Sequence, residues 1–187
     1  MFETLLKNFL KELKEYNIIA YITGGQAFKK YFNSEENTTD YDIHIYLTYK
    51  QLTNKETFNI IYNLIKDLHV NLKKIIKINM LNKFDYANYS KKYIDYNLLN
   101  KSIEFYNSNV ICDIQIEDYN NTYVDISVSY SPNIEIEQNK VNDDFYIKKD
   151  ILLKELNNYH DDLVRTKYNK NKIEKIKNRI KYINKSI

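Results

Sequence analysis

Asp40 and Asp42 flank a single tyrosine, and that spacing is the first chemical signal in the chain. In an extended strand, residues i and i+2 share a face and stand roughly 6–7 Å apart. Two carboxylates so placed can bracket a hard divalent cation, which takes oxygen ligands. Tyr41, Ile43, Ile45 and Leu47 supply the opposite, apolar face, so a strand anchored on a core is expected over 41–47. His44 continues the polar face, either as a ligand or as a packed polar residue beside the ligands. The competing reading is a pair of solvated acids at the start of an edge strand. A two-metal site ordinarily needs a third carboxylate. Asp125, in Val124-Asp125-Ile126, is the preferred candidate, and Asp113, in Cys112-Asp113-Ile114, is the reserve. An acid at the centre of an apolar strand needs an ion or a hydrogen-bond partner if it is buried.

Gly24 and Gly25 are the only glycines in the chain, and they are adjacent. They follow the apolar run Ile18 to Thr23 and precede a short helical pattern from Gln26 to Phe32. Glycine there lets the backbone turn sharply and lets a ligand approach the main chain. The N–H groups at the following helix start favour a phosphate. An ordinary tight turn is the competing reading. Arg165 is one of two arginines and lies near Lys167 and Lys170. It can clamp a phosphate bidentately, or form a structural ion pair with Asp161 or Asp162.

These residues need elements to hold them. Phe2, Leu5, Leu6, Phe9, Leu10 and Leu13 recur at helical spacing and predict a helix to about Tyr16. Ile18–Thr23 reads as a buried strand, and 33–39 as a polar loop. Thr53 with Glu56 forms a capping box that opens a helix to about Leu68, with Phe58, Ile61, Ile65 and Leu68 on one stripe. Leu72–Met80 reads as a strand. Val110–Glu117 and Thr122–Tyr130 read as a hairpin across the Asp118–Asn121 turn. Ser131–Asn142, with the single proline Pro132, is expected to be a loop. Ile147–Tyr159 reads as a helix. From Asn169, Ile173, Ile176, Ile180 and Ile183 mark a last amphipathic helix. The pattern over 81–109 gives no functional reading.

The chain has 187 residues, 43% of them apolar and 28% charged, which is globular composition. Lys, Asn, Ile and Tyr supply more than half of it. All four have A/T-rich codons, so their abundance carries little functional weight and the scarce residues carry more. A single cysteine, Cys112, excludes an internal disulfide framework and a multi-cysteine zinc site. No apolar run approaches the ~20 residues of a membrane span. No signal-peptide core is visible, and a soluble, reducing compartment is expected. Residues 148–187 hold 12 basic and 5 acidic side chains, against a net −4 over the rest. That asymmetry points to metal chemistry in the first part and an anionic partner for the second, or to lysines filling solvated helix faces.

Ile22-Thr23-Gly24-Gly25, the short helix, Thr38-Thr39-Asp40-Tyr41-Asp42-Ile43 and the later Val124-Asp125-Ile126 resemble the signature of the polymerase-β-like nucleotidyltransferase superfamily. Within it the chain is most similar to poly(A) polymerase catalytic subunits of large cytoplasmic DNA viruses and related elements. The similarity adds the hairpin ending Val-Asp-Ile-Ser-Val, Lys148–Leu156 and Arg165–Lys170. Those polymerases are considerably longer. The resemblance implies an α+β nucleotidyltransferase fold, a small mixed β-sheet with helices on one face and C-terminal helices. It implies a core over 1–146 and a basic helical extension over 147–187. Asp40, Asp42 and Asp125 would bind Mg²⁺ or Mn²⁺, with Asp125 also helping to deprotonate the attacking hydroxyl. Thr23, Gly24, Gly25, Arg165, Lys167 and Lys170 would surround the nucleotide. ATP would be the substrate and an RNA 3′ end the acceptor, in the cytoplasm (the host's, if the chain is viral). A protein partner or a second copy could help hold the RNA, and no membrane is involved. Two alternatives remain open at this point. One is a minimal nucleotidyltransferase acting on a protein, a tRNA or a small molecule. The other is a non-catalytic module that binds RNA or a partner subunit.

Overall fold

The computed structural model describes residues 2–34, 38, 40–52, 54–72, 75–79, 110–117, 123–167 and 169–185. Helix α1 (Phe2–Glu15) leads into strand β1 (Ile19–Thr23), helix α2 (Gly24–Phe32) and strand β2 (Asp40–Leu47). A short turn of helix, α3 (Tyr49–Leu52), precedes the long helix α4 (Lys55–Leu72). Strands β3 (Ile75–Asn79), β4 (Val110–Glu117) and β5 (Tyr123–Tyr130) follow, then helices α5 (Ile134–Asn139), α6 (Lys149–Arg165) and α7 (Lys170–Lys185). The architecture is α+β around one mixed five-stranded sheet, ordered β1-β2-β5-β4-β3. Only the β2–β5 pair is parallel; the other three pairs are antiparallel.

The alternation expected over 41–47 decides how β2 sits. Ile43, Ile45 and Leu47 are fully buried, and Val124, Ile126 and Val128 on the same face of β5 are buried with them. They join Leu6, Phe9, Leu10 and Leu13 of α1 and Ile61, Ile65 and Leu68 of α4 in one apolar core. Tyr41 is only partly buried and packs on the Phe2 ring, 5.2 Å between centroids. Period-2 side chains therefore send Asp40, Asp42, His44 and Tyr46 to the other face of the sheet.

The structure departs from the expected elements at residues 134–139 and at Ile147. Residues 134–139 form helix α5, not loop. Asn133 caps it, its side chain accepting from the N–H groups of Glu135 and Ile136, and Pro132 stands just ahead of the cap. The helix expected from Ile147 begins at Lys149 instead. Ile147 is engaged elsewhere: its N–H donates to the Ile22 carbonyl at 2.9 Å, while the Ile22 N–H donates to the Phe145 carbonyl at 2.8 Å. Residues 145–147 thus cover the outer edge of β1, which would otherwise present unpaired backbone groups. At α4, Thr53 lies outside the described residues, and the Asn54 side chain accepts from the Glu56 N–H at 2.9 Å.

The last helix follows its expected stripe. Ile176 and Ile183 are buried, with Ile173 and Ile180 packed against the core. Helix α7 lies alongside α2: the Tyr182 hydroxyl donates to the Phe32 carbonyl at 3.2 Å, and its ring meets Phe28 edge-on at 5.9 Å. No helix among the described residues is long and apolar enough to cross a membrane.

Candidate active site

Two neighbouring strands, β2 and β5, bring the acids together. The register sets Asp42 between Thr23 of β1 and Asp125 of β5. Asp40 precedes Asp42 by two positions on the same strand face. One carboxylate oxygen from each of Asp40, Asp42 and Asp125 lies within 4.8 Å of the others, and all three residues are half-buried. The register sets Asp113 beside Ser127 and Gln115 beside Asp125. Among the described residues, Asp125 is the acid that completes the group.

The Gly-Gly turn lies against this group. Gly24 has φ +62°, in the left-handed region that a side chain rarely occupies. A Cβ there would overlap the Asp42 carboxylate. The missing side chain is therefore the space that the acid occupies. At Gly25 a Cβ would stand 2.7 Å from Thr38 Cγ2 and 3.0 Å from Arg179 Nη2. The Gly25 N–H donates to the Asp42 carboxylate. Thr23, buried and extended at φ −128°, closes β1 just before the turn without a side-chain capping bond.

Packing three acids together has an electrostatic consequence. Burial pushes the Asp42 carboxyl up to about 6, and the charges of Asp40 and Asp125 add to the rise. The Gly25 N–H and Arg179 pull in the other direction without offsetting it. Proximal like charges and desolvation are what a cation would relieve. The donor set is all carboxylate oxygen, which suits Mg²⁺ or Mn²⁺. His44, two residues further along β2, is desolvated and pushed down to about 4, with the Lys140 charge adding to the effect. It is neutral near pH 7. Its Nδ1 faces the Tyr46 hydroxyl at 3.4 Å, so it belongs to a packed aromatic cluster with Tyr21 and Tyr46.

The expected cations fall elsewhere. Arg165 is exposed and bonds Asp162 at 2.9 Å. Lys167 and Lys170 are exposed at the α6–α7 turn. Lys30 pairs with Asp144 and lies 4.2 Å over the Tyr146 ring. Exposed pairs such as Arg165–Asp162 contribute little. Arg165→Ala is expected to leave stability within about 0.5 kcal/mol of wild type and nucleotide affinity within about twofold. Urea denaturation and a nucleotide titration check both.

Arg179 is the residue that sequence reasoning missed. It is 7% exposed, sits 5.4 Å over the Phe28 ring, and places a guanidinium nitrogen beside Gly25. A signal was present. Arg179 falls three residues after Ile176 and four before Ile183, on the buried stripe, where a charge needs a reason.

No protein-family model matches the chain, and no curated protein does. One solved structure that matches is that of the antibiotic-resistance factor ANT(2'')-Ia, with TM-score 0.45 and 12% identity. The match covers 98% of this chain and 83% of that one. A likeness that distant bears on neither substrate nor activity.

Proposed function

We propose that the chain is a metal-dependent nucleotidyltransferase, moving a nucleoside monophosphate from a triphosphate, preferentially ATP, to an acceptor hydroxyl. One observation carries this: three carboxylates from two strands converge within 4.8 Å beside a glycine turn that opens a helix. Asp40, Asp42 and Asp125 would hold Mg²⁺ or Mn²⁺. When bound, such an ion neutralises polyphosphate charge and polarises the phosphoryl group under attack.

The chain's own residues do the rest. The first turn of α2 opens beside the acids, and a helix start there would favour the triphosphate's charge. The Gly24 cradle fixes the Asp42 carboxylate, and the parallel β2–β5 register fixes Asp125 beside it. Asp125 would accept the proton of the acceptor hydroxyl. The acceptor oxygen bonds to the α-phosphorus, the bond from that phosphorus to the bridging oxygen breaks, and pyrophosphate leaves. Positioning and charge neutralisation supply most of the rate for such a step.

The resemblance noted above makes an RNA 3′ end the first acceptor to test. A second reading has an observation of its own. The same sheet face continues past the acids into a cavity of about 310 Å³ lined by His44, Ser127, Ser129, Glu137 and Lys140. That volume suits one small polar molecule. Labelled ATP with Mg²⁺ or Mn²⁺, offered an RNA primer or a panel of small hydroxyl compounds, separates the two. A ladder on the primer supports the first, and label on a small molecule supports the second. Label on neither, with any metal, overturns the proposal.

The acid group also sets a pH dependence. A cation competes with the proton on Asp42, whose pKa lies near 6. Affinity for Mn²⁺ is expected to climb about tenfold per pH unit below that value and to level off above pH 7. Calorimetric titration at pH 5, 6, 7 and 8 measures it. A flat profile would remove Asp42 from the ligand set.

A further inference from the structure

We propose that the outer edge of β1 floors a second ligand site, which takes a nucleoside by the edge of its base. The site shares no residue with the carboxylate group. It stands whether or not the chain transfers nucleotides.

Backbone bonding along β1 points to it. The Ile22 N–H and carbonyl turn away from β2 and bond to Phe145 and Ile147. Backbone groups of a paired strand alternate in direction, residue by residue. Ala20, two positions before Ile22, therefore also turns its N–H and carbonyl away from β2. Among the described residues, none bonds to Ala20 from that side. Yet Ala20 is only 6% exposed, and it lines a cavity. Buried backbone groups are nearly always paired, so a free donor and acceptor on a cavity floor mark a place that a ligand completes.

The neighbouring segment bends away just before it would reach Ala20. Tyr146 runs parallel to β1 beside Ile22. Traced backwards, the chain would continue alongside Ala20, but Phe145 takes φ +66°, a conformation that bulky side chains rarely adopt. Its N–H closes a turn on the Asn142 carbonyl at 3.2 Å. Asn142 fixes this turn: its side chain accepts from the N–H groups of Asp144 and Tyr146 and donates to the Tyr31 hydroxyl. The diverted chain leaves a cavity of about 500 Å³ between β1, α5 and the turn. That is the size of a small-molecule site.

The open edge selects the occupant. Ile22 is already bonded, and the Ile18 N–H donates to the Leu13 carbonyl, so a single residue of the edge is left. That is too short to seat an added peptide strand. It suffices for one planar ring that carries an acceptor and a donor side by side, as the edges of nucleobases do. Ile134, Val141 and Phe145 supply apolar walls, and Phe145 an aromatic face on which a base stacks. The rim sets one cation, Lys14, against one acid, Asp143. With no net charge there, the site favours a nucleoside over its phosphates.

The probe is adenosine, titrated without metal into the isotope-labelled full chain and followed by NMR. Binding should shift the Ala20 amide signal. No binding, or an unmoved Ala20 signal at saturation, would overturn the site. Adenosine dimethylated on its exocyclic nitrogen lacks the donor of the base edge and should bind about tenfold more weakly. Equal affinity for the two would overturn the edge pairing, and this comparison needs no variant. Phe145→Gly keeps the left-handed turn and removes the ring. It should weaken adenosine about fivefold or more and leave Mg²⁺-ATP affinity within about twofold. Equal weakening of both would put adenosine in the catalytic nucleotide site and overturn the proposal. Tighter binding of N-acetylalanine methylamide than of adenosine would also overturn it, in favour of a peptide strand on the same edge.

Discussion

Asp42→Asn is expected to abolish transfer, by a factor of about a thousand or more, and at the same time to make the metal-free protein more stable. Both effects come from one cause. In the folded chain the Asp42 carboxyl is pushed up to about 6 from 3.8, first by burial and then by Asp40 and Asp125. The folded state therefore binds this proton more tightly than the unfolded one. Stability falls as pH rises through the interval from about 4 to 6, and above it the penalty is fully present. A rise of that size corresponds to at most about 3 kcal/mol, and asparagine removes it. Chemical denaturation at pH 8 should show a gain of about 1–3 kcal/mol for the variant without metal. Added Mn²⁺ should stabilise wild type and not the variant. A variant less stable than wild type at pH 8 would mean the acids are not crowded as described. Retained transfer would mean that they are not the catalytic group.

Gly24→Ala is the second large effect. Alanine at φ +62° costs about 1–2 kcal/mol from backbone strain alone. Its Cβ would also overlap the Asp42 carboxylate, which must then swing away from Asp125. The expected result is a loss of about 2–4 kcal/mol in stability and at least a hundredfold in transfer. Gly25→Ala is the comparison, with a cost of its own because its Cβ would stand 2.7 Å from Thr38 Cγ2. Its backbone has no such strain, and its Cβ meets Thr38 and Arg179 rather than Asp42. Urea denaturation and a transfer assay on both variants separate the roles. If the two behave alike, the cradle at Gly24 has no special part.

The carboxylate group was legible because its signals are local. Asp-x-Asp within an alternating strand, a glycine pair at a strand end and an acid in an apolar strand each need only a few neighbouring residues to be read. Their convergence needed the β2–β5 register, which no short window contains. Helix α5 was hidden behind Pro132, which reads as a breaker when it sits just ahead of the Asn133 cap. Ile147 looked helical because its apolar neighbours repeat at helical spacing, but bonding to β1 claims it first. Arg179 was lost among the lysines of a basic helix. Only the phase of the stripe distinguishes it, and the phase matters only once α7 is known to lie on α2. Arg165 drew notice by scarcity alone, which both arginines share.

The single parallel contact in the sheet has a kinetic consequence. Asp42 and Asp125 are neighbours across strands that stand 83 positions apart, from 125 less 42. Every other strand partnership can form without closing so long a loop around the acids. Chain-closure entropy delays such distant pairing. The cation-binding group should therefore assemble after the antiparallel strand pairs of the sheet, and ion capture in a refolding experiment should lag their formation.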